Sequence, residues 1–105
     1  MVNPEINSSI KSIVQSFLPD ARIVLFGSRA RGDEHQQSDF DLLIIIKKNL
    51  TPREKLEWTG KIHKKLVYSL RAAFDILLNS EEEVLSKKEL PGHVVRWATR
   101  EGVAI

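Results

Sequence analysis

Phe26-Gly27-Ser28-Arg29-Ala30-Arg31-Gly32-Asp33-Glu34-His35-Gln36-Gln37-Ser38-Asp39-Phe40-Asp41-Leu42 is the stretch on which this sequence turns. It joins two apolar runs through a polar loop. Before it, Ala21 to Phe26 (Ala-Arg-Ile-Val-Leu-Phe) has the composition of a short strand and is closed by Gly27. After it, Phe40 to Ile46 reads as a longer strand. Beyond Asp41 it is apolar on both faces, which predicts a central place in a sheet. Residues 28 to 38 are polar and turn-forming, with room for a single helical turn.

Working outward, Asn3-Pro4-Glu5 has the residues of an N-cap, a first-turn proline and an early carboxylate. Ile6, Ile10, Ile13, Val14 and Phe17 then recur at helical spacing, and Pro19-Asp20 ends the helix. Downstream, Thr51-Pro52-Arg53-Glu54 is a capping box that opens a long helix to about Arg71. Its inner face is expected to carry Leu56, Ile62, His63, Leu66, Val67 and Leu70. Phe74 to Leu78 reads as a third strand. Ser80 with Glu83 is a second capping box, opening a short helix that Pro91-Gly92 stops. Val94, Val95, Trp97 and Ala98 mark a last helix ended by Gly102. The order helix–strand–strand–helix–strand–helix–helix predicts one α/β domain over residues 1–105, with a small mixed β-sheet packed against α-helices.

Within that frame, Asp39 and Asp41 are two residues apart at the mouth of an apolar strand. Alternation puts both carboxylates on one face, with Cα atoms roughly 6–7 Å apart. They repel each other, and strands disfavour aspartate. A hard divalent cation such as Mg²⁺, which takes carboxylate and phosphate oxygens, relieves that repulsion. Taken alone, the pair reads first as the end of a loop at the strand's start. Asp75, inside the apolar run Ala72 to Leu78, adds a third carboxylate on a neighbouring strand. Buried and unpaired it would be costly, so it either pairs with an arginine such as Arg71 or Arg22 or joins the other two. Gly27 after a buried strand allows close approach of a ligand to the backbone. The N–H groups that follow, the Ser28 hydroxyl and the charges of Arg29 and Arg31 can meet phosphate oxygens.

Phe26-Gly27-Ser28, ten residues, then Asp39-Phe40-Asp41-Leu42 resembles the signature of the DNA polymerase β-type nucleotidyltransferase superfamily: a hydrophobic residue, Gly, Gly or Ser, and Asp-hydrophobic-Asp-hydrophobic after about ten positions. The fuller form Gly-Ser-Arg-Ala-Arg-Gly…Ser-Asp-Phe-Asp-Leu is similar to the minimal nucleotidyltransferases, often paired in prokaryotes with HEPN-domain toxins. The similarity runs to the closing Arg100-Glu101-Gly102-Val103. The resemblance implies a nucleotidyltransferase-like fold. It also implies transfer of a nucleoside monophosphate, AMP from ATP, onto an acceptor hydroxyl, with two Mg²⁺ ions clamping an in-line displacement at phosphorus. Asp39 and Asp41 would bind the metals, and Asp75 would complete the site and orient or deprotonate the acceptor. Gly27 and Ser28 would hold the β- and γ-phosphates. Of Arg29 and Arg31, one would meet phosphate and the other form a surface ion pair.

The same resemblance points to a HEPN-domain toxin as the protein acceptor, making the chain an antitoxin that acts as a protein adenylyltransferase. Two alternatives stay open: a binding module that neutralises its partner by occlusion, and a small-molecule transferase of the antibiotic-modifying kind. The latter normally carries an added helical domain for which 105 residues leave no room. The basic stretch Lys61 to Arg71 and the loop Asp33 to Gln37 are the expected docking surfaces.

Composition narrows the setting. Sixteen Lys and Arg against fourteen Asp and Glu leave a net charge of +2, too small an excess to mark a nucleic-acid surface. With no cysteine there is neither a disulfide framework nor a thiolate metal site. The longest apolar run, Leu42 to Ile46, is far short of the ~20 residues that span a bilayer. The N-terminus shows no basic segment followed by an apolar core. A cytoplasmic protein without a membrane partner is the expectation. His35, His63 and His93 are too scattered to suggest metal ligation.

Overall fold

The computed structural model describes residues 4–32 and 39–105. The Asn3 cap and the Asp33–Gln37 loop therefore lie outside the described residues. The chain runs α1 (Pro4–Phe17), β1 (Arg22–Phe26), α2 (Ser28–Arg31), β2 (Phe40–Ile46), α3 (Pro52–Leu70), β3 (Phe74–Ser80), α4 (Glu81–Lys87), α5 (Val94–Glu101) and β4 (Val103–Ala104). The sheet has the order β3-β2-β1-β4. β1 is antiparallel to both β2 and β4, and β2 is parallel to β3.

β2 is inside the sheet, as its two-sided apolarity requires, and Leu42 to Ile46 are all buried. Its side chains divide between two cores. Phe40, Leu42, Ile44 and Ile46 pack with Ile10 and Val14 of α1 and with Ile62 and Leu66 of α3. Leu43 and Ile45 face the other way, toward Val84 of α4 and Val95 and Ala98 of α5. A strand covered on both faces cannot alternate polar with apolar, so an uninterrupted apolar run is what this layering demands.

Both capping boxes form. Thr51 Oγ1 accepts from the Glu54 N–H and Glu54 accepts from the Thr51 N–H; Ser80 and Glu83 do the same. The inner face of α3 departs from the expected one. Leu56 is 75% exposed and His63 is exposed, while Trp58 is half-buried against Phe17. The buried stripe follows Trp58, Ile62 and Leu66 because α1 and β3 approach α3 from that side. α3 ends without a glycine: Arg71 itself takes the left-handed conformation, φ 51°, and its N–H closes on the Val67 carbonyl. β3 runs two residues past the expected Leu78, and Ser80 is both its last residue and the cap of α4. α4 stops at Lys87, ahead of Pro91-Gly92.

β4 went unpredicted. Gly102 ends α5, and a Cβ there would strike Val24 and the Ala98 carbonyl, so only glycine lets the chain pass so close to β1. Val103 and Ala104 then pair with Leu25 and Val24. Among the described residues no helix is long and apolar enough to cross a membrane.

Candidate active site

The site forms where β1 ends and where β2 and β3 begin. Because β1 is antiparallel to β2, its last residue, Phe26, registers with Asp41. Because β2 and β3 are parallel, Asp41 registers with Asp75. Side chains alternate, so Asp41 and Asp75 share the face of Leu43 and Leu77, the side on which α4 and α5 lie. Asp39 stands one residue before β2 and is exposed; Asp41 is half-buried.

The electrostatics record the convergence. Burial pushes the Asp41 carboxyl above its ordinary value, the charges of Asp75 and Asp39 push it further, and Arg31 opposes them. A carboxylate desolvated between two others is a donor looking for a cation. Three hard oxygen donors on two adjacent strands suit Mg²⁺ rather than a soft metal. Among the described residues, however, no three acidic or imidazole side chains are drawn together into a ready-made cluster.

Asp75 differs from expectation in burial. It is exposed, and it makes no ion pair with Arg71 or Arg22 among the described residues; Arg22 lies instead 4.0 Å from Glu81. It stands near the start of β3, whereas Leu78, Asn79 and Ser80 farther along the same strand are buried.

Gly27 explains itself through Asp41. Its φ is 74°, and a Cβ at that position would overlap the Asp41 carboxylate. The glycine both turns the chain and leaves room for the carboxylate. The N–H groups of Ala30 and Arg31 close on the Gly27 carbonyl, forming the one-turn α2, and Gly32 ends it in a left-handed conformation. Ser28 is the first residue of that turn.

The two arginines part company. The Arg29 guanidinium stacks over the Phe40 ring, 4.2 Å from its centroid, and Phe40 in turn stacks on Phe74. Arg31 pairs with Glu101 at 3.2 Å. Glu101 is a residue of the site that the sequence reading did not assign, although it lies in the closing segment that carries the family likeness. It reaches Arg31 because Gly102 and β4 fasten the end of α5 to β1.

Three kinds of similarity bear on this arrangement. A family profile described as a nucleotidyltransferase domain matches residues 8–99. A protein of Methanocaldococcus jannaschii carrying the name "Putative protein adenylyltransferase MJ0141" is 34% identical over 103 residues, covering 96% of each chain. Among solved structures, a toxin–antitoxin with AMP-PNP superimposes with a TM-score of 0.68 at 19% identity, over 93% of this chain and 70% of that one. A complex of a tri-AMPylated Shewanella oneidensis HEPN toxin with an MNT antitoxin gives 0.56 at 17% identity, over 94% and 67%. At these identities the structural likeness concerns the fold alone.

Proposed function

This chain belongs to the nucleotidyltransferase domain family, and from that premise we propose that it transfers AMP from ATP to a hydroxyl of a partner protein. The observation that carries the reading is the convergence of Asp39 and Asp75 on the half-buried Asp41, beside a glycine turn that leaves the Asp41 carboxylate its space. The partner we infer is a HEPN-domain toxin, with a tyrosine as acceptor and the chain in an antitoxin role in the cytoplasm. Support for the protein acceptor comes from the name of the M. jannaschii relative, and for the HEPN partner from the toxin–antitoxin complexes that share the fold.

Asp39 and Asp41 would hold Mg²⁺, two ions by analogy with the superfamily, and Asp75 would complete the set. When bound, Mg²⁺ supplies the positive charge that lets a triphosphate approach three carboxylates. The chain's own residues do the rest. Backbone N–H groups after Gly27, with the Ser28 hydroxyl, receive the β- and γ-phosphates. Arg31, whose charge acts on Asp41, is the arginine we assign to phosphate, while Arg29 braces Phe40 and with it the start of β2. The acceptor oxygen attacks the α-phosphorus and the bond from that phosphorus to the bridging β-phosphate oxygen breaks. Pyrophosphate leaves, and the hydroxyl proton passes to the Asp75 carboxylate and on to water. Phosphoryl transfer of this kind depends on positioning and charge more than on covalent help from the enzyme.

The test is co-expression with a HEPN-domain partner followed by mass spectrometry. The partner should gain one or more AMP units on a hydroxyl residue, and the gain should be lost in Asp39→Asn. Rapid modification of a free small molecule with none on any protein would overturn the protein-acceptor reading. Binding of ATP with equal strength in Mg²⁺ and in EDTA would overturn the metal-bridged site.

A further inference from the structure

β3 is an edge strand, with β2 on one side and no strand on the other. Its Ala73 carbonyl accepts from the Phe40 N–H, so residue 73 and its alternates 75, 77 and 79 direct their backbone groups toward β2. Phe74, Ile76, Leu78 and Ser80 direct theirs outward. Side chains satisfy the two ends of this outward row: His63 Nε2 donates to the Phe74 carbonyl at 3.1 Å, and the Ser80 N–H donates to Glu83 at 2.8 Å. Between them, among the described residues, no hydrogen bond reaches the outward N–H and C=O groups of Ile76 and Leu78. Those groups open into a groove of about 660 Å³, walled by Pro52, Leu56 and Thr59 of α3 and by Lys87 of α4. Leu56, the apolar residue expected inside, is exposed in that wall.

We propose that this groove takes an extended segment of the acceptor protein, which pairs with Ile76–Leu78 as an added strand and thereby presents its hydroxyl to Asp75. Unsatisfied strand donors and acceptors select polypeptide main chain above other ligands. A second copy of this chain fits worse, because its own β3 would arrive with α3 and α4 attached. The added strand alternates. Side chains on one face pack against Leu56 and Pro52, and those on the other share the face of Asp75 and Leu77. Directly opposed residues on paired strands have Cβ atoms about 4.5–5.5 Å apart, so a hydroxyl side chain opposite Asp75 is within reach of its carboxylate. The proposal rests on the transferase reading for its purpose, and on the edge geometry for its place.

The probe is a synthetic peptide, Val-Lys-Val-Tyr-Val-Lys-Val, with two further versions N-methylated on one or the other set of alternate residues. Added to the full chain with Mg²⁺ and labelled ATP, the parent peptide should take label on tyrosine and slow hydrogen exchange at the Ile76 and Leu78 amides. One methylated version should lose about tenfold in both, and the other should stay near the parent, since only one edge of the added strand donates to β3. Leu56→Asp, at an exposed position that leaves the fold intact, should lose the protection too. Equal behaviour of all three peptides, or no protection of the two amides, would overturn the docking site. Protection without peptide that grows with protein concentration would overturn it as well, giving the edge to a second copy. Calorimetry with ATP and Mg²⁺ separates the two readings: intact binding with no peptide protection sinks only the docking site, while protection without any ATP binding sinks the transferase.

Discussion

The two ends of β3 carry carboxylates in opposite condition. At its far end Glu83 is fully served: it accepts from the Ser80 N–H, lies 2.7 Å from Lys55 Nζ and 3.8 Å from Lys87 Nζ. Burial works to raise its carboxyl, but those hydrogen bonds and lysine charges outweigh it and hold the group below the ordinary value. At the near end Asp75 faces Asp41 with Asp39 beside it, and Asp41 is pushed up. Within one strand's length, the chain has placed a completed ionic cluster and one that Arg31 compensates only in part. The first closes α4 onto the sheet. Among the described residues the second is opposed only by Arg31, and under the proposed function a cation would supply the rest. Folding alone would favour compensating both, so the contrast is what the proposed metal site would leave behind.

The comparison breaks most visibly in activity. Asp41→Asn keeps the shape but removes the charge proposed to bind metal, and transfer should fall on the order of a thousandfold. Glu83→Gln should leave transfer within a fewfold of the parent, measured with the same labelled ATP. Near-normal transfer by Asp41→Asn would dissolve the distinction between the clusters.

Stability should respond the other way round. Glu83→Gln loses half of a capping box and the charge that faces two lysines, and should cost about 1–2 kcal/mol in urea unfolding at pH 7. The sign of its pH dependence follows from a folded-state value held below the ordinary 4.5. The contribution is present above that value and disappears as pH falls through the lower folded one, so the variant and parent should converge in acid.

Asp41→Asn should do the reverse in the absence of divalent cation. With the folded carboxyl raised above its ordinary 3.8, the folded state holds the proton more tightly than the unfolded chain. Stability therefore falls as pH rises from that ordinary value through the raised one, and stays lower above it. At neutral pH in EDTA the variant should melt slightly above the parent. That advantage should vanish in acid and shrink or reverse when Mg²⁺ is added, a pattern that thermal scans at several pH values would show or refute.

The smallest effect concerns Glu101→Gln. The Arg31–Glu101 pair is partly exposed, so the change should alter stability by no more than about 0.5 kcal/mol. It also frees Arg31 from its tie to α5, and affinity for ATP with Mg²⁺ should move by a fewfold, with Glu101→Asp closer to the parent. An unchanged affinity would leave the pair a surface contact only.

Much of this contrast is legible in the sequence. The Ser80–Glu83 capping box announces the completed cluster, because a cap is a local pattern of four residues whose partners are backbone groups a turn away. The spacing from Gly27-Ser28 to Asp39-Phe40-Asp41 announces the other. Less legible was everything that depends on which way a helix face turns. Leu56 and His63 fit the helical spacing of a buried stripe, yet α1 and β3 meet α3 along Trp58, Ile62 and Leu66. β4 escaped notice because two residues carry no periodicity. Glu101 carries no local signal of its role, since its partner is 70 positions away.

By itself the sequence determined the first three strands, the two capping boxes, the glycine turn and the spacing of Asp39 and Asp41, all features in which neighbours along the chain settle one another's conformation. Only the tertiary structure decided that Asp75 is exposed, that it stands in register with Asp41, and that Glu101 holds Arg31. Register between β2 and β3 depends on how α3 crosses back over the sheet, and burial depends on which edge a strand occupies. Neither is written in the local residues: Ala72 to Leu78 reads as a buried strand wherever it is placed, and becomes an open edge only because nothing in the described chain pairs beyond it.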